Sequence, residues 1–118
     1  MQFAILFHET PTDFAHRDDD DHKDDYWASW NTYMSALREA GVEVTAGAAL
    51  HGGDVATTVV SRGGDIEVQD GPYADTKEQL GGLIVVDVSS LDVALEWAKR
   101  APCVGTGGCE VRPVLPTG

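Results

Sequence analysis

The chain has 118 residues, of which 42% are hydrophobic and 24% charged, a balance typical of a globular protein rather than a disordered one. Twenty acidic residues against 8 lysines and arginines give a net charge of −12, which argues against nucleic acid as a partner because such a field repels phosphate. The apolar start at residues 2–7 lacks a basic leader and is too short for a signal peptide or a membrane span. We therefore expect a single domain over residues 1–118, located in the cytoplasm and not in a membrane.

Residues 2–8 are predicted to form the first strand. Phe3, Ile5 and Phe7 alternate with Ala4 and Leu6, so both faces of this strand are apolar. Such a strand requires cover on two sides. The polar stretch that follows, residues 9–23, is predicted to be irregular.

The densest run of charge lies at residues 18–25, where six of the eight residues are aspartates. One interpretation is a metal site made from these carboxylates with His16 or His22. The other is a negatively charged start to the following helix, where acidic side chains favour the helix dipole. Because adjacent carboxylates point in different directions, we favour the second interpretation and expect no metal.

Residues 25–40 are predicted to form the first helix. Its large apolar side chains recur at intervals of three and four residues, the spacing of one helix face. They are Tyr26, Trp30, Tyr33 and Leu37. Most of this face is expected to pack on a sheet, with Trp30 buried or lining a pocket.

The remaining elements alternate in a way that defines the fold class. Strands are predicted at 42–50, 55–61 and 66–69, with a hairpin turn at 62–65. A strand from 80 or 82 to 88, a helix at 89–101 and a last strand at 109–114 complete the order β-α-β-(β-β)-β-α-β. This is an α+β fold of the ferredoxin-like β-α-β-β-α-β type with an extra hairpin. Its antiparallel sheet carries two helices on one face, so a second copy of the chain is the simplest cover for the other face.

Two cysteines, Cys103 and Cys109, lie six positions apart. This is not a zinc spacing, and the chain has no second pair to complete one. A disulfide is unusual in the cytoplasm. We expect reduced cysteines with a structural role.

A polar cluster at residues 70–82 lies between a tight turn and a buried strand. Asp70-Gly71-Pro72 favours the turn, and Gly81-Gly82 lets the backbone approach its neighbours closely. The intervening polar residues include Tyr73, Asp75, Thr76, Lys77 and Glu78. They form either a solvated connection or the wall of a site, and Asp70 either caps its own turn or faces a cavity.

This stretch, DGPYADTKEQLGG, resembles the DGPF signature of YCII-related proteins, with Tyr73 in the place of the phenylalanine. Residues 90–98 resemble the helix that follows in that family, residues 110–114 its closing strand, and residues 56–59 also fit. The similarity covers about the last two thirds of the chain. It implies a dimeric α+β barrel and therefore a homodimer.

Candidate site residues are the ionisable and aromatic groups expected near this turn. The resemblance to YCII proteins implies a His–Asp pair. Its local pattern does not occur in this chain, so we assign the pair to His51 and Asp70 instead. The predicted catalytic residues are His51, Asp70, Tyr73, Lys77 and Glu78, and the predicted substrate-binding residues are His8, Trp30 and Arg112. Arg112 shares a strand face with Glu110, which gives either a structural pair or an anchor for an anionic substrate.

Two functions from different classes follow from these residues. The first is a small cofactor-independent enzyme, a lyase or isomerase that moves protons on a small polar or aromatic molecule in the barrel cavity. The second is a non-catalytic module of YCII/DGPF type that binds a small ligand or regulates. A small-molecule ligand is expected in both cases, without a cofactor or a metal.

Overall fold

The computed structural model describes residues 1–117, which form six strands and three α-helices. In chain order these are β1 (Gln2–Glu9), α1 (Pro11–His16), α2 (Lys23–Glu39), β2 (Glu43–Ala49), β3 (Thr57–Arg62), β4 (Asp65–Asp70), β5 (Gln79–Asp87), α3 (Leu91–Lys99) and β6 (Gly108–Pro113). A short 3-10 turn, Gly53–Val55, precedes β3.

The main sheet has four antiparallel strands in the order β2-β5-β1-β6. The two apolar strands, β1 and β5, are therefore central, and the more polar strands lie at the edges. With the insertion of the β3–β4 hairpin, this is the ferredoxin-like arrangement that the sequence predicted. The α+β fold class is confirmed.

The core lies between the sheet and the two longer helices. β1 contributes Phe3, Ile5 and Phe7, which are buried against side chains of α2 and α3. The largest helix residues in this core are Tyr33, Leu37 and Trp97. Tyr33 is held in place because its hydroxyl donates to the Trp97 carbonyl at 2.9 Å.

The opposite face of the sheet is also apolar. Ala4 and Leu6 of β1 lie beside Val85 and Leu83 of β5, and all four are only half-buried. The two-faced apolar pattern of β1 thus corresponds to one face covered by helices and one face that no helix of residues 1–117 covers.

The prediction that residues 9–23 are irregular is wrong for residues 11–16, which form α1. This helix begins with a capping box: the Asp13 amide donates to Thr10 Oγ1 at 3.2 Å, and the Thr10 amide donates to Asp13 Oδ2 at 3.0 Å. Burial raises the pKa of Asp13, but hydrogen bonds from Thr106 and Thr10 outweigh burial and lower it. A helix of six residues is too short to show the repeat of apolar residues that identifies longer helices, so it could not be predicted from the sequence.

The acidic run starts the next helix, as predicted. Asp24 and Asp25 occupy the first turn of α2, where the helix dipole favours negative charge. Asp19 pairs with His22, and Lys23 Nζ contacts Asp20 Oδ1 at 3.0 Å. Within residues 1–117, no three His, Cys, Asp or Glu side chains converge in a way that could hold a metal ion.

The β3–β4 hairpin forms a sheet of its own, apart from the main sheet. Gly63 and Gly64, with φ of +58° and +88°, make its turn. One face carries Val59, Ile66 and Val68, which are 63%, 70% and 70% exposed. At the other end of the hairpin, two hydrogen bonds join the segments that enter and leave it. The Gly71 amide donates to the Ala56 carbonyl at 2.8 Å, and Thr58 Oγ1 donates to the Gly71 carbonyl at 2.7 Å.

Candidate functional site

A pocket of about 410 Å³ lies between α2 and the main sheet, and we call it the α2 pocket. Its walls are mostly apolar, with Phe7 from β1 and Trp27, Trp30 and Met34 from α2. Most of the residues that β2 and β5 contribute are small, with Leu83 and Ile84 as the exceptions: Gly47, Ala48, Ala49, Gly81 and Gly82. The pocket therefore exists because bulky helix side chains oppose strand positions that have little or no side chain.

One end of the α2 pocket is closed by a polar cluster of Glu9, Arg17 and Tyr26. Glu9 is only 2% exposed. Arg17 Nη2 donates to Glu9 Oε2 at 2.6 Å, Arg17 Nε donates to the Tyr26 hydroxyl at 2.9 Å, and that hydroxyl donates to Glu9 Oε1. The three groups form a closed ring of hydrogen bonds in which the buried carboxylate is compensated by a cation and a phenol.

Arg17 also joins the ends of several strands. It donates to the Leu50 carbonyl just after β2, and its Nη2 donates to the Gly81 carbonyl of β5 at 2.9 Å. Its guanidinium lies 4.7 Å from the centre of the Phe14 ring and within 6 Å of the rings of Tyr26 and Trp27. A single side chain thus connects the loop before α2 to three strands of the main sheet.

The surroundings fix the protonation of this cluster. Burial lowers the pKa of Arg17, but its hydrogen bond to Tyr26 and the charge of Glu9 outweigh burial and raise it. Burial, assisted by the hydrogen bond to Glu9, raises the pKa of Tyr26 well above its usual range. At neutral pH the α2 pocket therefore ends in a cationic guanidinium and a neutral phenol.

The glycine pair at the start of β5 makes room for the cluster. A Cβ at Gly81 would collide with Glu9 Oε2 and lie 2.9 Å from Arg17 Nη2. A Cβ at Gly82 would lie 2.9 Å from the Ala48 carbonyl oxygen. The sequence prediction that these glycines allow a close backbone approach is confirmed.

A second cavity, the hairpin cleft, opens between α1, the loop at residues 51–55 before β3 and the segment at residues 70–79 that follows the hairpin. It has a volume of about 1070 Å³ and is open to solvent. Three of the predicted catalytic residues line it: His51, Asp70 and Lys77. Arg17 lines both this cleft and the α2 pocket. The fold therefore brings the predicted His–Asp pair to the cavity that borders the buried cluster.

The other predicted residues near the turn lie further out. Tyr73 is 87% exposed in the single chain. Tyr73, Glu78 and His8 border a third, open cavity of about 780 Å³, which His51 also lines. The turn after Asp70 is held by Thr58 and Ala56 rather than by the Asp70 carboxylate.

The predicted substrate-binding residues lie on both sides of the main sheet. Trp30 is half-buried and lines the α2 pocket. Arg112 is exposed on β6 and pairs with Glu110, whose Oε1 lies 4.0 Å from His8 Nε2. Arg112 does not line the α2 pocket or the hairpin cleft.

Sequence reasoning missed Glu9, Arg17 and Tyr26. One signal was available: Arg17 is the lone arginine in the acidic stretch before the first long helix, and aromatic residues flank it at Phe14, Tyr26 and Trp27. A lone cation among acids and aromatic rings is typical of a buried ion pair rather than of a solvated face.

The model of the YCII-related domain matches residues 1–117. The chain belongs to the YCII-related family. An uncharacterized protein of Rhizobium meliloti is 44% identical to this YCII-related chain over 61 residues, which are 50% of the chain and 49% of the relative. The chain thus matches about half the length of that curated relative.

A solved structure shares the fold across nearly the whole YCII-related domain. It is the 5-chloro-2-hydroxyhydroquinone dehydrochlorinase of Burkholderia phenoliruptrix, in complex with 2,5-dihydroxybenzoquinone. The similarity covers 98% of this chain and 94% of the other, with a TM-score of 0.55 and 17% sequence identity. At this identity the similarity shows the fold alone. No helix within residues 1–117 has the length and apolar character needed to cross a bilayer.

Proposed function

We propose that this YCII-related chain is a small cofactor-independent enzyme of the lyase or isomerase type, which moves protons on a small aromatic or polar molecule. The observation that carries the proposal is the position of Arg17. It lines both an apolar pocket of ring size and the cleft that holds His51 and Asp70. A molecule bound at this boundary would meet an apolar wall, a cation and titratable groups together.

The α2 pocket supports an aromatic substrate. Its volume of about 410 Å³ lies within the range of small-molecule sites, roughly 300–1,000 Å³. Trp27 and Trp30 offer ring surfaces for edge or offset contacts. The small residues of β2 and β5 opposite them leave a flat space suited to a planar molecule.

The polar end of the pocket supports a substrate that carries an anionic oxygen. A guanidinium has five N–H donors, and within residues 1–117 Arg17 directs four of them to Tyr26, Leu50, Glu9 and Gly81. One N–H, on Nη1, remains for a ligand. A phenolate or enolate oxygen there would have its charge stabilised where it develops.

The hairpin cleft supports proton transfer. His51 is exposed there, and imidazole is the side chain whose ordinary pKa suits a base near neutral pH. Asp70 would orient the imidazole or hold its charge, and Lys77 would contribute positive charge at the rim. Tyr73, Glu78, His8 and Arg112 stay outside this arrangement in the single chain.

The similar dehydrochlorinase supplies a concrete probe. Its complex holds 2,5-dihydroxybenzoquinone, a planar ring with acidic oxygens, which matches the chemistry that the α2 pocket and Arg17 favour. We expect quenching of Trp27 and Trp30 fluorescence when this compound binds. Halogenated hydroxyhydroquinones are the first substrates to assay, by ultraviolet absorbance and chloride release.

The Asp70→Asn and His51→Gln variants test the catalytic assignment. If these residues act in proton transfer, each should lower kcat/KM by about 10²–10⁴-fold while the melting temperature stays unchanged. Asp65→Asn, at the other end of the same strand, is the matched control and should keep full activity. Unchanged turnover in both site variants would remove His51 and Asp70 from the mechanism.

One observation favours a non-catalytic, ligand-binding module instead. Glu9, Arg17 and Tyr26 satisfy one another, and within residues 1–117 no buried side-chain nitrogen or oxygen lacks a partner. A fully satisfied cluster is typical of a structural or binding element. Binding of the probe without turnover of any related compound would support this second function.

We also propose that the active form is a homodimer in which the helix-free faces of two main sheets pack together. The half-buried face that contains Leu6, Leu83 and Val85 supports this, because large apolar sheet faces are normally covered.

Light scattering should give twice the chain mass of 12.6 kDa. Leu83→Lys should yield a monomer, and the control Leu91→Lys, on the exposed side of α3, should not. A wild-type monomer at micromolar concentration would contradict the dimer.

A further inference from the structure

The two cysteines of the chain lie side by side, although one belongs to the loop after α3 and the other to strand β6. Cys103 follows α3 and is 3% exposed, whereas Cys109 lies in β6 and is half-buried. Their sulfur atoms are 3.6 Å apart, which is van der Waals contact. The proposed function uses neither residue.

We propose that Cys103 and Cys109 form a reversible oxidation site that hydrogen peroxide converts into an intramolecular disulfide. The Cys109 thiolate attacks one oxygen of the peroxide, the O–O bond breaks, and the departing hydroxide takes up a proton to leave as water. Cys103 then attacks the Cys109 sulfenic acid, loses its proton, and a second water leaves. In sum, two thiols and one peroxide give one disulfide and two waters.

The geometry gives the two sulfurs different roles. Cys103 is buried, so peroxide reaches Cys109 first. The hydrogen bond between the two sulfurs lowers the pKa of Cys109, and the same hydrogen bond together with burial raises the pKa of Cys103. Cys109 is therefore the attacking thiolate and Cys103 the resolving thiol.

The segment between the two cysteines allows the sulfurs to approach. A disulfide has an S–S length of about 2.05 Å, so the sulfurs must move closer by about 1.5 Å. Residues 104–108 include three glycines, Gly105, Gly107 and Gly108. A Cβ at Gly105 would meet nothing within 4 Å, whereas a Cβ at Gly107 would collide with the His8 carbonyl, and the Gly107 amide donates to the Cys103 carbonyl at 2.7 Å. The loop can therefore shift around Gly105, while its second half stays packed on β1.

Oxidation of the two cysteines should also affect the candidate site. Cys103 lines a small cavity of about 100 Å³ together with Glu9, Tyr26 and Trp30. The disulfide should therefore change the affinity of the α2 pocket for 2,5-dihydroxybenzoquinone. This consequence rests on the proposed function, whereas the loss of thiols does not.

The test treats the folded 118-residue chain with one equivalent of hydrogen peroxide, blocks the remaining thiols with N-ethylmaleimide, and measures the intact mass. We expect both thiols to be lost together, a mass decrease equal to two hydrogen atoms, a single-chain band on non-reducing denaturing gels, and full recovery with dithiothreitol. Cys103→Ser should accumulate a sulfenic acid at Cys109 that dimedone traps. Cys109→Ser should react at least tenfold more slowly.

Three results would overturn the proposal. The first is two maleimide adducts after a peroxide treatment that oxidises free cysteine. The second is a disulfide between two chains or an irreversible sulfinic acid in the wild type. The third is equal dimedone labelling of the two single variants. If the disulfide forms but probe affinity is unchanged, the oxidation site stands and only its coupling to the α2 pocket fails.

Discussion

Replacing Arg17 by alanine should lower the free energy of unfolding by about 3–5 kcal/mol, because removal of one partner leaves a buried charge uncompensated. The charge in question is the Glu9 carboxylate, which is 2% exposed and accepts from Arg17 Nη2 at 2.6 Å. The same change also removes the hydrogen bonds from Arg17 to the Leu50 and Gly81 carbonyls. Urea unfolding followed by circular dichroism measures the loss.

Two controls separate this effect from ordinary loss of a surface cation. Arg100→Ala removes another arginine, which is exposed and lies 4.3 Å from the Trp97 ring centre, and should cost less than about 1 kcal/mol. Adding Glu9→Gln to Arg17→Ala should recover part of the lost stability, because no uncompensated charge then remains. If Arg17→Ala cost no more than Arg100→Ala, Arg17 would not hold the cluster together.

Replacing Trp30 by alanine should cost about 3 kcal/mol, the lower end of the range for truncating a large aromatic residue. Trp30 is only half-buried, but its ring packs edge-on against Phe7 at 4.8 Å and lies 6.0 Å from Tyr33. It also forms a wall of the α2 pocket. We therefore expect affinity for 2,5-dihydroxybenzoquinone to fall at least about tenfold, equivalent to 1.4 kcal/mol.

Trp30→Phe and Trp27→Ala separate the two roles of Trp30. The phenylalanine variant keeps an aromatic wall and should recover most of both losses. Trp27 is 39% exposed, so its removal should cost less stability, about 1 kcal/mol for the hydrogen bond from Nε1 to the Arg17 carbonyl. A stability change under about 1 kcal/mol for Trp30→Ala would place that side chain among ordinary surface residues.

The order of elements was predictable because alternation and helical period report which face of a segment is buried. The period of Tyr33 and Leu37 in α2, and the two-faced alternation of β1 and β5, led directly to a ferredoxin-like sheet with one face left for another partner. The hairpin turn at Gly63 and Gly64 could also be predicted from its local sequence, because a tight turn needs residues that accept positive φ.

The candidate site depended on contacts that no local pattern reports. Glu9, Arg17 and Tyr26 come from a strand, a loop and a helix, and Cys103 and Cys109 come from a loop and a strand. Whether such groups meet depends on the paths of the loops between them and on small residues such as Gly81 that let them approach. For the same reason the sequence pointed to His51, Asp70 and Tyr73 but not to the two cavities that separate Asp70 from Tyr73. The sequence by itself determined the strands and the two longer helices and their order, because burial of one face imposes a period on neighbouring residues, and it determined the family through the motif at residues 70–82. Only the tertiary structure decided which charges share a cavity, because side chains distant in the chain meet through packing rather than through spacing.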